Sequence, residues 1–294
     1  MDRPTATSLA VAYQGMAGAF SEAAAAALFP EARLEGQRTF AEVFSAVAER
    51  RVDAAVVPLE NSHAGSVVEV YDQLLQHRTV TMVAEAMVRV RYCLLGVPGA
   101  TLAQITAVRS HPQSLSQCDE WLRAHRIEPI VAFDNAGAAA EVAAAKDRSV
   151  AGLASRRAGR HYGLAVLADA IETAKDNVTR FVAIALEPDG SLALRVPAAL
   201  RTGPRKTSLV YATRNEPGAL TGSLAPFAAA GLQLTKIESR PSKAAPWDYV
   251  FYLDFEGDPE VRQAGEALDR LRAVCAWVQV LGTYAAATKV LEPD

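Results

Sequence analysis

A chain of 294 residues, half of them apolar, is too long for one ordinary core, so two or three compact units are expected. A formal net charge of −3 excludes the electrostatic footprint of a nucleic-acid binder, and no apolar run approaches the ~20 residues of a membrane-spanning helix. Cys93, Cys118 and Cys275 are far apart and accompanied by no CxxC or HExxH pattern, so neither a zinc site nor a disulfide framework is signalled, and with no signal-peptide core in Met1–Ser8 a cytoplasmic protein is expected.

Leu9–Tyr13 predicts a short strand ending at Gly15 and Gly18, and the Ala-rich Ser21–Leu28 a helix. Thr39-Phe40-Ala41-Glu42 predicts a capping box ahead of the stripe Phe40, Val43, Phe44, Val47. Val52–Val57 predicts a strand stopped by Pro58. Ser66-Val67-Val68-Glu69 predicts a second capping box, with Val67, Tyr71, Leu74 and Leu75 on one helix face. Val80–Val97 holds strand material. Pro112 suits the first turn of a helix carrying Leu115, Cys118 and Leu122, and Asp134-Asn135 caps an Ala-rich helix to about Ala145. Phe181–Leu186 reads as a buried strand. Such alternation implies parallel sheet with helices on its faces, and ligands beyond the carboxyl ends of strands.

From Pro188 to Lys206 the pattern is broken by Pro188, Gly190, Pro197, Gly203 and Pro204, and a linker is expected. A second unit follows. It has a strand at Ser208–Thr213, then a helix opened by Pro217 with Leu220, Leu224 and Phe227 on one face and ended by Gly231. Strands at Leu232–Ser239 and Tyr249–Phe255, a helix striped by Val261, Ala264, Leu268 and Leu271, and a strand at Trp277–Tyr284 complete it. The order βαββαβ is ferredoxin-like.

Polar motifs sit at the strand–helix junctions. Tyr13–Glu22 carries glycines that admit an anion to backbone N–H groups, or that simply make a tight turn. Pro58-Leu59-Glu60-Asn61-Ser62-His63 places an acid, an amide and a hydroxyl at a strand end. His111-Pro112-Gln113-Ser114 opens a helix, with His111 either titrating near neutrality or capping the backbone. Asp134-Asn135-Ala136-Gly137 and Ser155-Arg156-Arg157 open two more, and capping with a solvated surface would explain both. Asn177-Val178-Thr179-Arg180-Phe181 sets an amide, a hydroxyl and a guanidinium at a strand mouth. That set suits an anionic substrate with a leaving oxygen, or else a turn with a surface Arg. In the second unit Asn215-Glu216-Pro217-Gly218-Ala219-Leu220 is an anion-friendly helix start, and Glu238-Ser239-Arg240-Pro241 ends a strand.

Taken in order, these motifs resemble prephenate dehydratase with a C-terminal ACT regulatory domain, over about Ala10 to Tyr284. The carriers are Tyr13–Glu22, Pro58–Ser62 with Gly65-Ser66-Val67, His111-Pro112-Gln113 with Gln117-Cys118, Tyr162-Gly163-Leu164, Asn177–Phe181, Pro217–Leu220 and Leu234–Pro241. With no chorismate mutase segment before Leu9, the monofunctional form is expected. The resemblance implies a two-lobed, periplasmic-binding-protein-like catalytic domain over residues 8–187, a linker over 188–205 and an ACT domain over 206–290. It implies loss of water and CO2 from prephenate, giving phenylpyruvate without a cofactor or metal. Thr179 would donate to the departing hydroxyl, Asn177 and Arg180 would orient it or bind carboxylate, and Glu60, Asn61, Ser62 and Ser21 would line the cleft. Phe20, His111, Gln113, Asn135 and Phe181 complete the implied substrate site. L-Phenylalanine would bind at Asn215, Gly218, Ala219 and Leu220 with Glu238, Ser239, Arg240 and Pro241, and a homodimer or homotetramer is implied. The family pattern has Ser/Thr-Thr-Ala where this chain has Asp134-Asn135-Ala136, which adds a negative charge and keeps arogenate dehydratase as the alternative. A more distant alternative is a non-catalytic aromatic amino acid-binding protein.

Overall fold

The computed structural model describes residues 9–186, 191–242 and 249–292. The chain begins with β1 (Ala10–Gln14), α1 (Phe20–Leu28), β2 (Arg33–Gln37), α2 (Phe40–Ala48), β3 (Ala54–Asn61), β4 (Gly65–Ser66), α3 (Val68–Gln76) and β5 (Val80–Arg89). It crosses to β6 (Cys93–Gly96), β7 (Ala107–Ser110), α4 (Pro112–Gln117), α5 (Asp119–Ala124), β8 (Glu128–Val131), α6 (Asn135–Ala145), β9 (Val150–Ala154), α7 (Arg156–Tyr162) and β10 (Ala165–Ala168). Then β11 (Val178–Leu186) returns to the first group, and α8 (Ser191–Arg195) follows. The last stretch is β12 (Arg205–Ala212), α9 (Ala219–Ala229), β13 (Leu234–Pro241), β14 (Tyr249–Glu256), α10 (Arg262–Val274), β15 (Trp277–Ala285) and β16 (Val290–Leu291).

Three sheets result. The first is ordered β16-β5-β11-β3-β1-β2 with β4 beside β3, the second β10-β6-β9-β7-β8, and the third β13-β14-β12-β15. The third has the βαββαβ connectivity expected of a ferredoxin-like unit. The first is mixed rather than parallel. β1 runs parallel to β2 and β3, but β11 lies antiparallel between β3 and β5. Val178 pairs with Arg89, so β5 and β11 form a long hairpin whose loop is the entire second-sheet unit, and antiparallel pairing follows from that return path.

Pro58 does not stop its strand. β3 continues to Asn61, and its register against β11 shifts between the pairs Arg180–Glu60 and Phe181–Pro58, leaving Leu59 as an extra residue. Proline has no N–H to give to a ladder, and a bulge accommodates it. The capping box at Thr39 forms, with Thr39 Oγ1 accepting from Glu42 N at 3.1 Å. The one expected at Ser66 does not. Ser66 belongs to β4, its hydroxyl donates to Glu238 at 2.8 Å, and α3 starts at Val68 without a side-chain cap.

The first sheet is covered on both faces. Against one lie α1 and the stretch after β11, where Leu192, Val196 and Leu200 join Phe181, Ala183 and Ala185. This part of the expected linker is therefore packed, while Pro188 and Gly190 lie outside the described residues. Against the other lie α2, α3 and the inner face of the third sheet, where Val182 and Ile184 meet Val210, Tyr252 and Tyr284. α9 starts at Ala219, after Gly218 in the left-handed region, not at Pro217, and Leu220 is turned outward while Ser223, Pro226 and Phe227 are buried.

Candidate active site

A cavity of about 470 Å³ opens between the first and second sheets, within the size range of small-molecule sites. The strands β1, β7, β8 and β9 each run into a helix beside it, namely α1, α4, α6 and α7. Phe20, Ser21, Asn61, His111, Gln113, Asn135, Thr179 and Phe181 all line it. Residues far apart in the sequence are thus brought to one space, with Ser21, Asn61 and Thr179 among them.

Four other expected site residues lie elsewhere. Side chains alternate along a strand, so Thr179 and Phe181 face the cavity while Arg180 points to the opposite side of the sheet. The bulge at Leu59 performs the same sorting on β3. It brings Asn61 onto the face of Thr179 and Glu60 onto the face of Arg180. Arg180 is buried against the third sheet, where its guanidinium donates to Glu85 at 2.8 Å, Asp254 at 2.6 Å and Tyr284 at 2.8 Å. Burial opposes its charge, but Tyr284, Asp254 and Glu85 outweigh that and hold it protonated. Glu60 accepts from Arg180 at 3.3 Å and also pairs with Lys236. Burial pushes the Glu60 carboxyl up, yet Lys236 and Arg180 prevail and hold it below the usual range. Neither residue is placed to touch a ligand in the cavity. Ser62 instead closes the turn, accepting from Val178 N at 3.0 Å. Asn177 is buried behind Asn61, accepting from it at 2.7 Å and donating to Gln117 at 3.0 Å.

The second-sheet side is equally organised. Asn135 Oδ1 accepts from Ser110 at 2.8 Å, from Ser114 at 2.8 Å and from His111 N at 3.2 Å. That fixes the amide and leaves its Nδ2 without a partner among the described residues, at the cavity wall. His111 is an N-cap, its Nδ1 accepting from Gln113 N at 3.3 Å. Asp134 caps α6 through Gly137 N. The helix start at Ser155 is a built junction, not merely a solvated surface. Ser155 donates to Gly18 O at 2.6 Å, and Arg157 pairs with Glu22 of α1 at 2.9 Å. For Glu22, burial raises the carboxyl, but Arg157 and the Gly18 N–H outweigh it and lower it. α1 itself begins without a side-chain cap, and Ala19, Phe20 and Ser21 at its start line the cavity.

The prephenate dehydratase family model matches residues 11–189 of the chain. The chain belongs to the prephenate dehydratase family. It is an enzyme of the lyase class. A protein of Arabidopsis thaliana, arogenate dehydratase/prephenate dehydratase 1, is 39% identical over 93% of this chain and 71% of its own length. A structure of prephenate dehydratase from Arthrobacter aurescens in complex with L-Phe superposes with a TM-score of 0.85 at 27% identity, covering 97% of this chain and 93% of that one. A structure of GqqA, described as a novel type of quorum quenching acylase, superposes with a TM-score of 0.85 at 32% identity, covering 95% of this chain and 98% of that one.

The charge lining of the cavity is one-sided. Glu69 and Asp134 are at the wall, while no Lys or Arg among the described residues is. No group of three or more His, Cys, Asp or Glu side chains that would hold a metal exists among the described residues. No described helix is long and apolar enough to cross a membrane. Sequence reasoning missed Tyr92, whose hydroxyl lies 3.0 Å from Ser114 Oγ and whose ring meets Phe20 edge-on, because nothing in Val90-Arg91-Tyr92 marks a site. It also missed Glu85, which was legible as a lone acid inside the apolar strand β5.

A second cavity, of about 570 Å³, lies at the start of α9. Asn215, Gly218, Ala219 and Leu220 line it, together with Arg78, Arg214 and Trp277. The other expected effector residues do not. Glu238 and Arg240 turn the other way, Glu238 accepting from Ser66 of β4 and Arg240 paired with Asp72 of α3, while Ser239 and Pro241 are exposed on the opposite face of the edge strand β13. The period-2 alternation of β13 separates the two pairs.

Proposed function

We propose that the chain converts prephenate to phenylpyruvate, CO2 and water. Loss of CO2 supplies the electron pair that expels the ring hydroxyl, one proton from solvent completes the water, and an aromatic ring results. The protein therefore needs only to hold two carboxylates and stabilise the leaving oxygen. The observation that supports this reading is the meeting of Thr179, Asn61 and Ser21 on one cavity. Thr179 serves as a hydrogen-bond donor to the departing oxygen, since a threonine hydroxyl is too weak an acid to deliver a proton outright. The uncapped start of α1 with Ser21, and Asn135 Nδ2 opposite, receive carboxylate oxygens.

The alternative substrate, arogenate, has its own support. Glu69 and Asp134 at the wall, with no cationic side chain among the described residues to offset them, favour a ligand carrying an ammonium group. The Arabidopsis relative carries both activities in its name. We further propose that residues 206–290 form an ACT domain that takes L-phenylalanine at the cavity beside Gly218 and Leu220, and that the catalytic part spans 8–187. The Arthrobacter enzyme, whose structure is a complex with L-Phe, supports that choice of effector. An ACT domain that pairs across subunits would give a dimer or tetramer. Side-by-side turnover of prephenate and arogenate, with and without L-phenylalanine, tests these readings together. Release of the UV-absorbing keto acid or of phenylalanine, and its suppression by L-phenylalanine, is the expected result. Phenylalanine binding without turnover of either substrate would leave only a binding protein.

A further inference from the structure

We infer that Asn61 acts on the reaction through Thr179, by fixing that hydroxyl as a donor into the cavity. The inference rests on the role of Thr179 proposed above. Asn61 Oδ1 accepts from two backbone N–H groups, those of His63 at 3.0 Å and Ala64 at 2.9 Å. A backbone nitrogen only donates, so turning the amide over would set an NH2 against two N–H groups. The end facing Thr179 Oγ1 at 2.9 Å and Asn177 Oδ1 at 2.7 Å is therefore Nδ2. An NH2 also only donates. Thr179 Oγ1 must accept at that contact, and its own proton points elsewhere.

Among the described residues Thr179 donates to no protein acceptor, and its side chain lines the cavity, so the proton is offered there. Asn177 follows the same polarity, accepting from Asn61 and donating to Gln117 Oε1 at 3.0 Å. The turn after β3 thus sets the direction of the whole amide chain, and a ligand oxygen meets the donor end of Thr179. An oxygen gaining negative charge as it leaves is stabilised by that arrangement. The same polarity disfavours Thr179 as a nucleophile, which would need an acceptor for its proton beside it. Asn61 is in this sense a positioning residue.

Asn61→Asp is the decisive variant. The introduced carboxylate still accepts from His63 and Ala64, so the turn is kept, but its second oxygen now draws the Thr179 proton out of the cavity. At neutral pH kcat should fall at least ~100-fold. The rate should recover as pH falls and the introduced carboxyl becomes protonated, since it then donates to Oγ1 as the amide did. In a Thr179→Ala background Asn61→Asp should cost less than ~3-fold further. Full kcat in Asn61→Asp at neutral pH, no recovery in acid, or an undiminished cost in the Thr179→Ala background would each overturn the inference. Unimpaired Thr179→Ala alone would instead overturn the role of Thr179. If Asn61→Asp fails to fold, neutron diffraction from the wild-type protein decides, with a deuteron on Thr179 Oγ1 directed at Asn61 as the contrary result.

Discussion

Thr179 and Arg180 are adjacent and have unlike consequences when changed. Thr179→Ala removes a donor at the cavity without opening a large void, so it should lower kcat by roughly 10²–10⁴-fold while leaving thermal unfolding nearly unchanged. Thr179→Ser keeps the hydroxyl and should keep much of the rate. Steady-state kinetics on prephenate or arogenate, whichever turns over, checks both. Arg180, by contrast, is surrounded by Glu85, Asp254, Glu60 and Tyr284. Its removal would strand buried carboxylates, which belongs to stability and not to substrate affinity. A guanidinium beside a hydroxyl invites a substrate-binding role in the sequence. Only the strand's alternation, once its facing is known, assigns the two residues to different sides.

At the level of elements, the tightest junction around the cavity is between the loop before α1 and the start of α7. Gly18 has φ +92°, and a Cβ there would stand 2.5 Å from Ala158 Cα. Gly18→Ala should therefore push α7 away from α1, lowering stability by about 1–3 kcal/mol and raising KM, as thermal unfolding and kinetics would show. Much of this level was legible in the sequence. The Thr39 box and the His111 and Asp134 caps are local signals that local hydrogen bonds satisfy, and the βαββαβ order follows from local periodicity in each element. Misreadings arise where a distant partner intervenes. Ser66 has the sequence of a cap but donates to Glu238, 172 residues away. Pro58 looks like a stop because its effect on register depends on β11, which is far along the chain. Leu220 has the spacing of an inward residue but stands in the first turn of α9, after the left-handed Gly218, where it is exposed at the cavity beside that helix start.

Across the whole molecule, the third sheet rests on the first through charged groups placed at the end of an apolar seam. Lys206 meets Glu85 at 2.9 Å, Arg180 meets Asp254 at 2.6 Å, and Lys236 meets Glu60. The carboxyl of Glu60 is lower in the folded protein than in the unfolded chain, so its ionised form favours folding. That stability is fully present above the ordinary Glu value of about 4.3 and is lost as pH falls through the lower folded value. Thermal unfolding followed from neutral pH into that acid window should show a decline in the wild type that is smaller in Glu60→Gln. An equal decline in both would place the acid sensitivity elsewhere.

The single extra residue in β3 makes the facing of the strand's last residues depend on the kink itself. Were the ladder ironed flat with Leu59 retained, Leu59 would stand opposite Arg180, Glu60 would come opposite Thr179 in the reaction chamber, and Asn61 would be turned into the seam. Excising Leu59 would instead leave an even ladder with both residues on their present sides. It is thus the surplus residue's accommodation, not its side chain, that keeps an amide in front of the substrate and an ion-pair partner behind it.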